Sequence, residues 1–101
     1  MYIIRRTDEF DVWLHALRDK EAVFRVLNRM RNAERGNFGL VAPIGEGVSE
    51  MKIDYGPGYR VYYTRIGEVV FLLLVGGDKS SQQRDIAKAK RMAKTIRSAA
   101  K

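Results

Sequence analysis

Gly56-Pro57-Gly58-Tyr59-Arg60-Val61-Tyr62-Tyr63 reads as a turn running straight into an alternating strand, with Arg60 and Tyr62 on one face and Val61 and Tyr63 on the other. Upstream, Val48 to Tyr55 alternates from Glu50 onward: Met51, Ile53 and Tyr55 share one face, and Glu50, Lys52 and Asp54 share the other. A hairpin folded about Pro57 would set Lys52 across from Val61 or Tyr62 and Arg60 near Asp54. Lys52, Arg60 and Tyr62 are then expected on one open surface. Downstream, Val69-Val70-Phe71-Leu72-Leu73-Leu74-Val75 shows no alternation, as in a central strand buried on both faces. It leaves through Gly76-Gly77-Asp78-Lys79-Ser80-Ser81-Gln82, a strand exit that opens a helix.

The remaining segments supply the helices. Tyr2-Ile3-Ile4 is a short strand candidate, and Thr7 or Asp8 caps a helix carrying Phe10, Trp13, Leu14 and Leu17. Asp19 caps a second, with Ala22, Val23, Val26, Leu27, Met30 and Ala33 on its stripe, which ends at Gly36. The two are expected to form a helical hairpin. Glycines and Pro43 mark Gly36 to Gly47 as a loop that could enclose a strand at Leu40-Val41-Ala42. The final helix opens with Ser80 three residues before Gln83, a capping-box spacing, and its stripe is Ile86, Ala89, Ala93, Ile96 and Ala100. This order predicts one α+β domain over residues 1–101: helices packed on a small, mostly antiparallel sheet.

Composition limits the functional classes. The chain has 101 residues and 46% hydrophobic content, enough for a single core. The absence of cysteine excludes disulfides, thiolate metal sites and a cysteine nucleophile. The longest apolar run is far below the ~18 residues of a membrane span, and the amino terminus lacks the charge order of a signal peptide, so a soluble cytoplasmic protein without membrane partners is expected. Net charge is +7, and all of the excess sits at one end: residues 1–78 hold 11 basic and 11 acidic side chains, residues 79–101 hold 8 and 1. Such a stripe draws polyanions, nucleic acid foremost, because each neutralised phosphate releases counterions.

Glu50-Met51-Lys52-Ile53, the Gly56 to Tyr63 segment, and Leu73-Leu74-Val75-Gly76-Gly77-Asp78-Lys79-Ser80-Ser81-Gln82, followed by Asp85-Ile86 and Ala89, in this order resemble the RelE/ParE superfamily of toxins. The resemblance covers nearly the whole chain and is strongest to the HigB-like "addiction module killer" branch of type II toxin–antitoxin systems. It implies an mRNA endonuclease, an mRNA interferase acting on translating ribosomes, neutralised by a cognate antitoxin that is a small helix-turn-helix protein. It also places the strand arginine of such enzymes at Arg60, the basic residue after the last strand at Lys79 and a strand lysine at Lys52.

The chemistry asked of these residues can be stated. When a ribose 2′-hydroxyl attacks the adjacent phosphate, the site must supply a base, an acid for the leaving oxygen and positive charge for the phosphorane, with no metal or other cofactor. The single histidine, His15, falls on the first helix, away from the sheet, so lysine, arginine and tyrosine must serve. Arg60 is expected to neutralise the phosphate, since guanidinium is a poor proton carrier. Lys52 or Lys79 is expected to exchange a proton, with Tyr62 as substitute donor. Tyr59 or Tyr62 could stack on a base, and Arg84, Lys88, Arg91 and Lys94 on the last helix could contact RNA or the ribosome.

Plainer readings of the same residues exist. Arg60 could be a solvated strand arginine paired with Asp54, Lys52 a strand lysine that discourages edge association, and Tyr62 a packing residue. Trp13 and Phe10 read as core and not as a stacking platform. Two other functions fit the same pattern: a ParE-like toxin that poisons DNA gyrase without cleaving, and a basic RNA-binding module without catalysis.

Overall fold

A computed structural model describes residues 1–99. Five strands form one sheet in the order β1-β5-β4-β3-β2: β1 (Ile3–Arg6), β2 (Val41–Gly45), β3 (Val48–Ile53), β4 (Tyr59–Ile66) and β5 (Val70–Asp78). Only the β1–β5 pair is parallel, so the sheet is mixed and mostly antiparallel. Three helices complete the α+β architecture: α1 (Asp8–Ala16), α2 (Lys20–Glu34) and α3 (Gln82–Ala99).

Each helix starts where the sequence provides a cap. Thr7 accepts a hydrogen bond from the Phe10 amide at 3.0 Å, and its hydroxyl donates to the Leu74 carbonyl, which fixes the start of α1 to β5. Asp19 accepts from the amides of Glu21 and Ala22 to begin α2. The expected capping box at Ser80 is corrected: the Asp78 carboxylate is the cap, accepting from the Ser80 amide at 2.8 Å and from its hydroxyl, and a 3-10 turn (Lys79–Ser81) precedes α3. A carboxylate displaces the hydroxyl because it is the stronger acceptor.

The sheet separates two cores. On one face, Phe10 and Leu14 of α1 and Ala22, Val26 and Ala33 of α2 pack on Met51, Ile53, Val61, Tyr63, Phe71 and Leu73. On the other, Ala89 and Ala93 of α3 pack on Val48, Tyr62, Leu74 and Val75. The period-2 parity of β3 and β4 makes this division, with odd-numbered residues facing α1 and α2 and even-numbered ones facing α3. In β5 a bulge breaks the parity: Tyr62 pairs with Val75 and Tyr63 with Leu73, so Leu74 is the extra residue. Leu74 and Val75 therefore both point to the α3 side, which helps explain the lack of alternation in the run.

Beyond the bulge, Gly76 and Gly77 lie within β5 and not at its exit. A Cβ on Gly76 would come within 2.2 Å of the Trp13 ring, and one on Gly77 within 1.8 Å of the Asp85 carboxylate. These glycines let α1 and α3 approach the sheet on opposite faces. Strand β2 is longer than the Leu40-Val41-Ala42 expected, and it tolerates Pro43 because it is an edge strand. Of the α3 stripe, Ala100 lies outside the described residues.

Candidate functional site

The β3–β4 hairpin pairs Ile53 with Tyr59 and Lys52 with Arg60, one to two residues away from the register expected of a turn about Pro57. The loop closes with the Gly58 amide donating to the Tyr55 carbonyl at 3.0 Å, and Gly56 and Gly58 take positive φ values of 56° and 81°. Those two glycines centre the turn on Gly56, which side chains would strain. The register change gives Arg60 a different partner. Its Nε donates to Glu50 Oε1 at 3.3 Å, and its Nη1 donates to the Gly58 carbonyl at 3.0 Å. The expected Arg60–Asp54 pair is therefore corrected to Arg60–Glu50.

This pair is interior: Arg60 is 6% exposed and Glu50 8% exposed. Gln82, in the first turn of α3, donates from Nε2 to Glu50 Oε2 at 3.2 Å. Strand β3, strand β4 and α3 are thereby joined through one carboxylate. Glu50 has the same strand parity as Lys52, which was readable in the sequence; its selection over Asp54 depended on the turn centre.

Lys52, Arg60 and Lys79 line one pocket of about 370 Å³, which Asp54, Pro57 and Gly58 also line. Lys52 projects from β3, Arg60 from β4 and Lys79 from the 3-10 turn after β5. Three of the four residues expected to act together are thus neighbours. Tyr62 is the exception. It is 0% exposed, packed against α3 with Leu74 and Ala89, and its hydroxyl has no hydrogen-bond partner among the described residues. The reading of Tyr62 on an open surface is corrected, because α3 covers that part of the even-numbered face. Burial, reinforced by the Glu50 and Asp85 carboxylates, raises its pKa far above the ordinary tyrosine value and keeps it protonated.

Tyr59 is likewise withdrawn from solvent. It is 8% exposed on the α1 side, its ring 6.3 Å from that of Trp13, so it is not placed to stack on an incoming base. Arg84, Lys88, Arg91 and Lys94 are exposed along α3. Arg97, by contrast, is used by the fold, donating to the carbonyls of Glu46 and Gly47 and to the Thr64 hydroxyl. Arg84, Lys88 and Arg91 line a cleft of about 740 Å³ together with Trp13, Asp78 and Asp85. His15 is exposed on α1, its Nδ1 2.8 Å from the Asp11 carbonyl. Among the described residues no three His, Asp or Glu side chains cluster as a metal site, and no helix is long and apolar enough to cross a membrane.

The fold and the site define a small α+β protein with a basic pocket held between a β-hairpin and the amino end of a cationic helix. No family model matches the chain. A protein of Haemophilus influenzae (strain ATCC 51907 / DSM 11121 / KW20 / Rd), described as an uncharacterized protein, is 40% identical over 93 residues, covering 92% of this chain and 94% of that one. The chain belongs to the same family as that Haemophilus protein.

Proposed function

We propose that the protein is a RelE/ParE-like toxin of a type II toxin–antitoxin pair, acting as a metal-independent mRNA endonuclease on translating ribosomes. The observation that carries this reading is the convergence of Lys52, Arg60 and Lys79 on one pocket from three separate elements. In this reading α1 and α2 are the amino-terminal helical hairpin of that fold, and the antitoxin is a small helix-turn-helix protein that covers the basic surface.

The chemistry uses charge and proton exchange. One lysine, acting in its neutral amine form, accepts the proton of the ribose 2′-hydroxyl as its oxygen attacks the adjacent phosphorus. The other lysine protonates the departing 5′-oxygen, leaving a 2′,3′-cyclic phosphate. Such acid–base help is typically worth about 100- to 10,000-fold in rate. Arg60 is held by Glu50 and Gly58, so in this reading its guanidinium meets the phosphorane already oriented, with part of its charge offset by Glu50. Lys52 and Lys79 are exposed and can meet an extended strand directly.

The test is induction of the wild type and of Lys52→Ala, Lys79→Ala and Arg60→Lys in bacteria without antitoxin, with growth followed and new mRNA 5′ ends mapped. Growth arrest with in-frame cuts in the wild type, reduced at least about tenfold in each lysine variant, supports the endonuclease. Arrest without new cuts would redirect the search to gyrase. Arg60→Lys keeps the charge at a buried position, so its loss of cutting with retained folding would separate guanidinium geometry from charge.

A further inference from the structure

The depressions around the amino end of α3 share walls. Lys79, on the rim of the Lys52–Arg60 pocket, also lines a hollow of about 540 Å³ with Gln83 and Arg84. Arg84, Ser80 and Ser81 are common to that hollow and to the larger cleft that contains Trp13, Lys88 and Arg91. One continuous basic track therefore leads from the hairpin pocket, around the start of α3, to Trp13. Resting on the RNA-cleaving reading, we propose that the Trp13 cleft is a second subsite, which holds an unpaired nucleotide of the strand whose scissile phosphate lies at Lys52, Arg60 and Lys79.

The cleft has the parts that single-stranded nucleic acid requires, an aromatic platform beside a row of cations. Arg84, Lys88 and Arg91 recur at steps of four and three residues, which puts them on one face of α3 over ~10 Å of helix. Trp13 is anchored from behind: its ring sits on Gly76 where a Cβ would lie 2.2 Å away, and it leans on Phe10 and Tyr59 at 5.6 and 6.3 Å. The indole is only part-buried, and it borders the cleft. Two carboxylates also line the space. Asp78 is held by the Ser80 amide and hydroxyl, and Asp85 accepts from the Ser81 hydroxyl, so both are engaged within the fold. The three cations outnumber them.

Trp13 is the only tryptophan, so its fluorescence reports on this cleft alone. The experiment titrates the full chain with a non-cleavable 2′-O-methyl oligoribonucleotide of about ten nucleotides, within the site sizes common for single strands. Saturable quenching is expected in the wild type and, at weaker affinity but with the same end point, in Lys52→Ala. In Lys88→Glu and Arg91→Glu affinity should fall about tenfold or more, with a shallower dependence on salt. Both substituted residues are exposed, and circular dichroism of each variant is the check that it folds. Absence of saturable quenching in a wild type that cuts mRNA would overturn the subsite alone. Quenching lost in Lys52→Ala but kept in Lys88→Glu, or matched by a polyglutamate peptide, would also overturn it. Quenching in a wild type that cuts nothing would support the subsite and sink the endonuclease reading instead.

Discussion

Replacing Glu50 with alanine tests the interior charge pair. The Arg60 Nε to Glu50 Oε1 distance is 3.3 Å, and both side chains are nearly excluded from solvent. At an effective permittivity of about 20, two unit charges at that separation attract by about 5 kcal/mol. Desolvating the two ions costs a comparable amount, so the intact pair contributes little net stability. Removing one member is another matter, because the remaining guanidinium keeps its desolvation cost without compensation; losses of about 3–5 kcal/mol are typical. Glu50→Ala also frees Gln82 from its acceptor. For a domain of this size the melting temperature should fall by roughly 12 °C or more. The double variant Glu50→Leu/Arg60→Met should recover to within about 2 kcal/mol of the wild type, since it buries no lone charge. Urea unfolding of Glu50→Leu, Arg60→Met and the double closes the cycle. A Glu50→Ala loss below about 1 kcal/mol, or a double variant that costs the sum of the singles, would refute the pairing argument.

On the proposed endonuclease reading, Tyr62→Phe should leave RNA cleavage unchanged and hold or raise stability by about 1 kcal/mol, because the hydroxyl removed is buried without a partner among the described residues; loss of cleavage with intact folding would return Tyr62 to the chemistry. Tyr62 also ionises less readily folded than unfolded, so wild-type stability should fall as pH climbs past the unfolded tyrosine value of 10.0, and Tyr62→Phe should lessen that fall in unfolding measured across alkaline pH. The Tyr55 hydroxyl donates to Asp19 and holds its pKa below the ordinary 3.8, so this contribution is present above that value and lost as pH falls through the depressed one. The stability difference between wild type and Asp19→Asn should accordingly be full at neutral pH and vanish in strong acid, as read by urea titrations at each pH. Gly76→Ala should cost about 1–3 kcal/mol and shift Trp13 emission, since the new methyl meets the indole ring; an unchanged spectrum would show that α1 does not rest there.

Much of the architecture was legible because it depends on local patterns. Thr7 and Asp19 announced the first two helices, and alternation in β3 and β4 sorted their residues onto two faces. What could not be read depends on pairing between distant segments. The hairpin centre at Gly56 instead of Pro57 exchanged Asp54 for Glu50 as the partner of Arg60. Parity correctly put Tyr62 on the face of Arg60, but parity does not say how far α3 extends over that face. The bulge at Leu74 hid the purpose of Gly76 and Gly77, which the sequence presents as punctuation and the structure uses as contact points.

The same pair that holds Arg60 also limits what it can do alone. Glu50 offsets its charge and takes its Nε, while Gly58 takes one donor of Nη1, so among the described residues part of the guanidinium fork is committed to the hairpin. On the proposed endonuclease reading, a phosphate entering the pocket meets an arginine that is already oriented but has much of its charge offset. The net attraction then comes from Lys52 and Lys79, exposed on different elements, which outnumber the Asp54 carboxylate lining the same pocket. A buried, hydrogen-bonded guanidinium suits a charge that develops at a fixed point, and exposed lysines suit proton exchange and capture of a flexible strand. On this division, loss of a lysine should weaken binding and turnover together, whereas altering Arg60 at constant charge should spare binding and slow the chemical step.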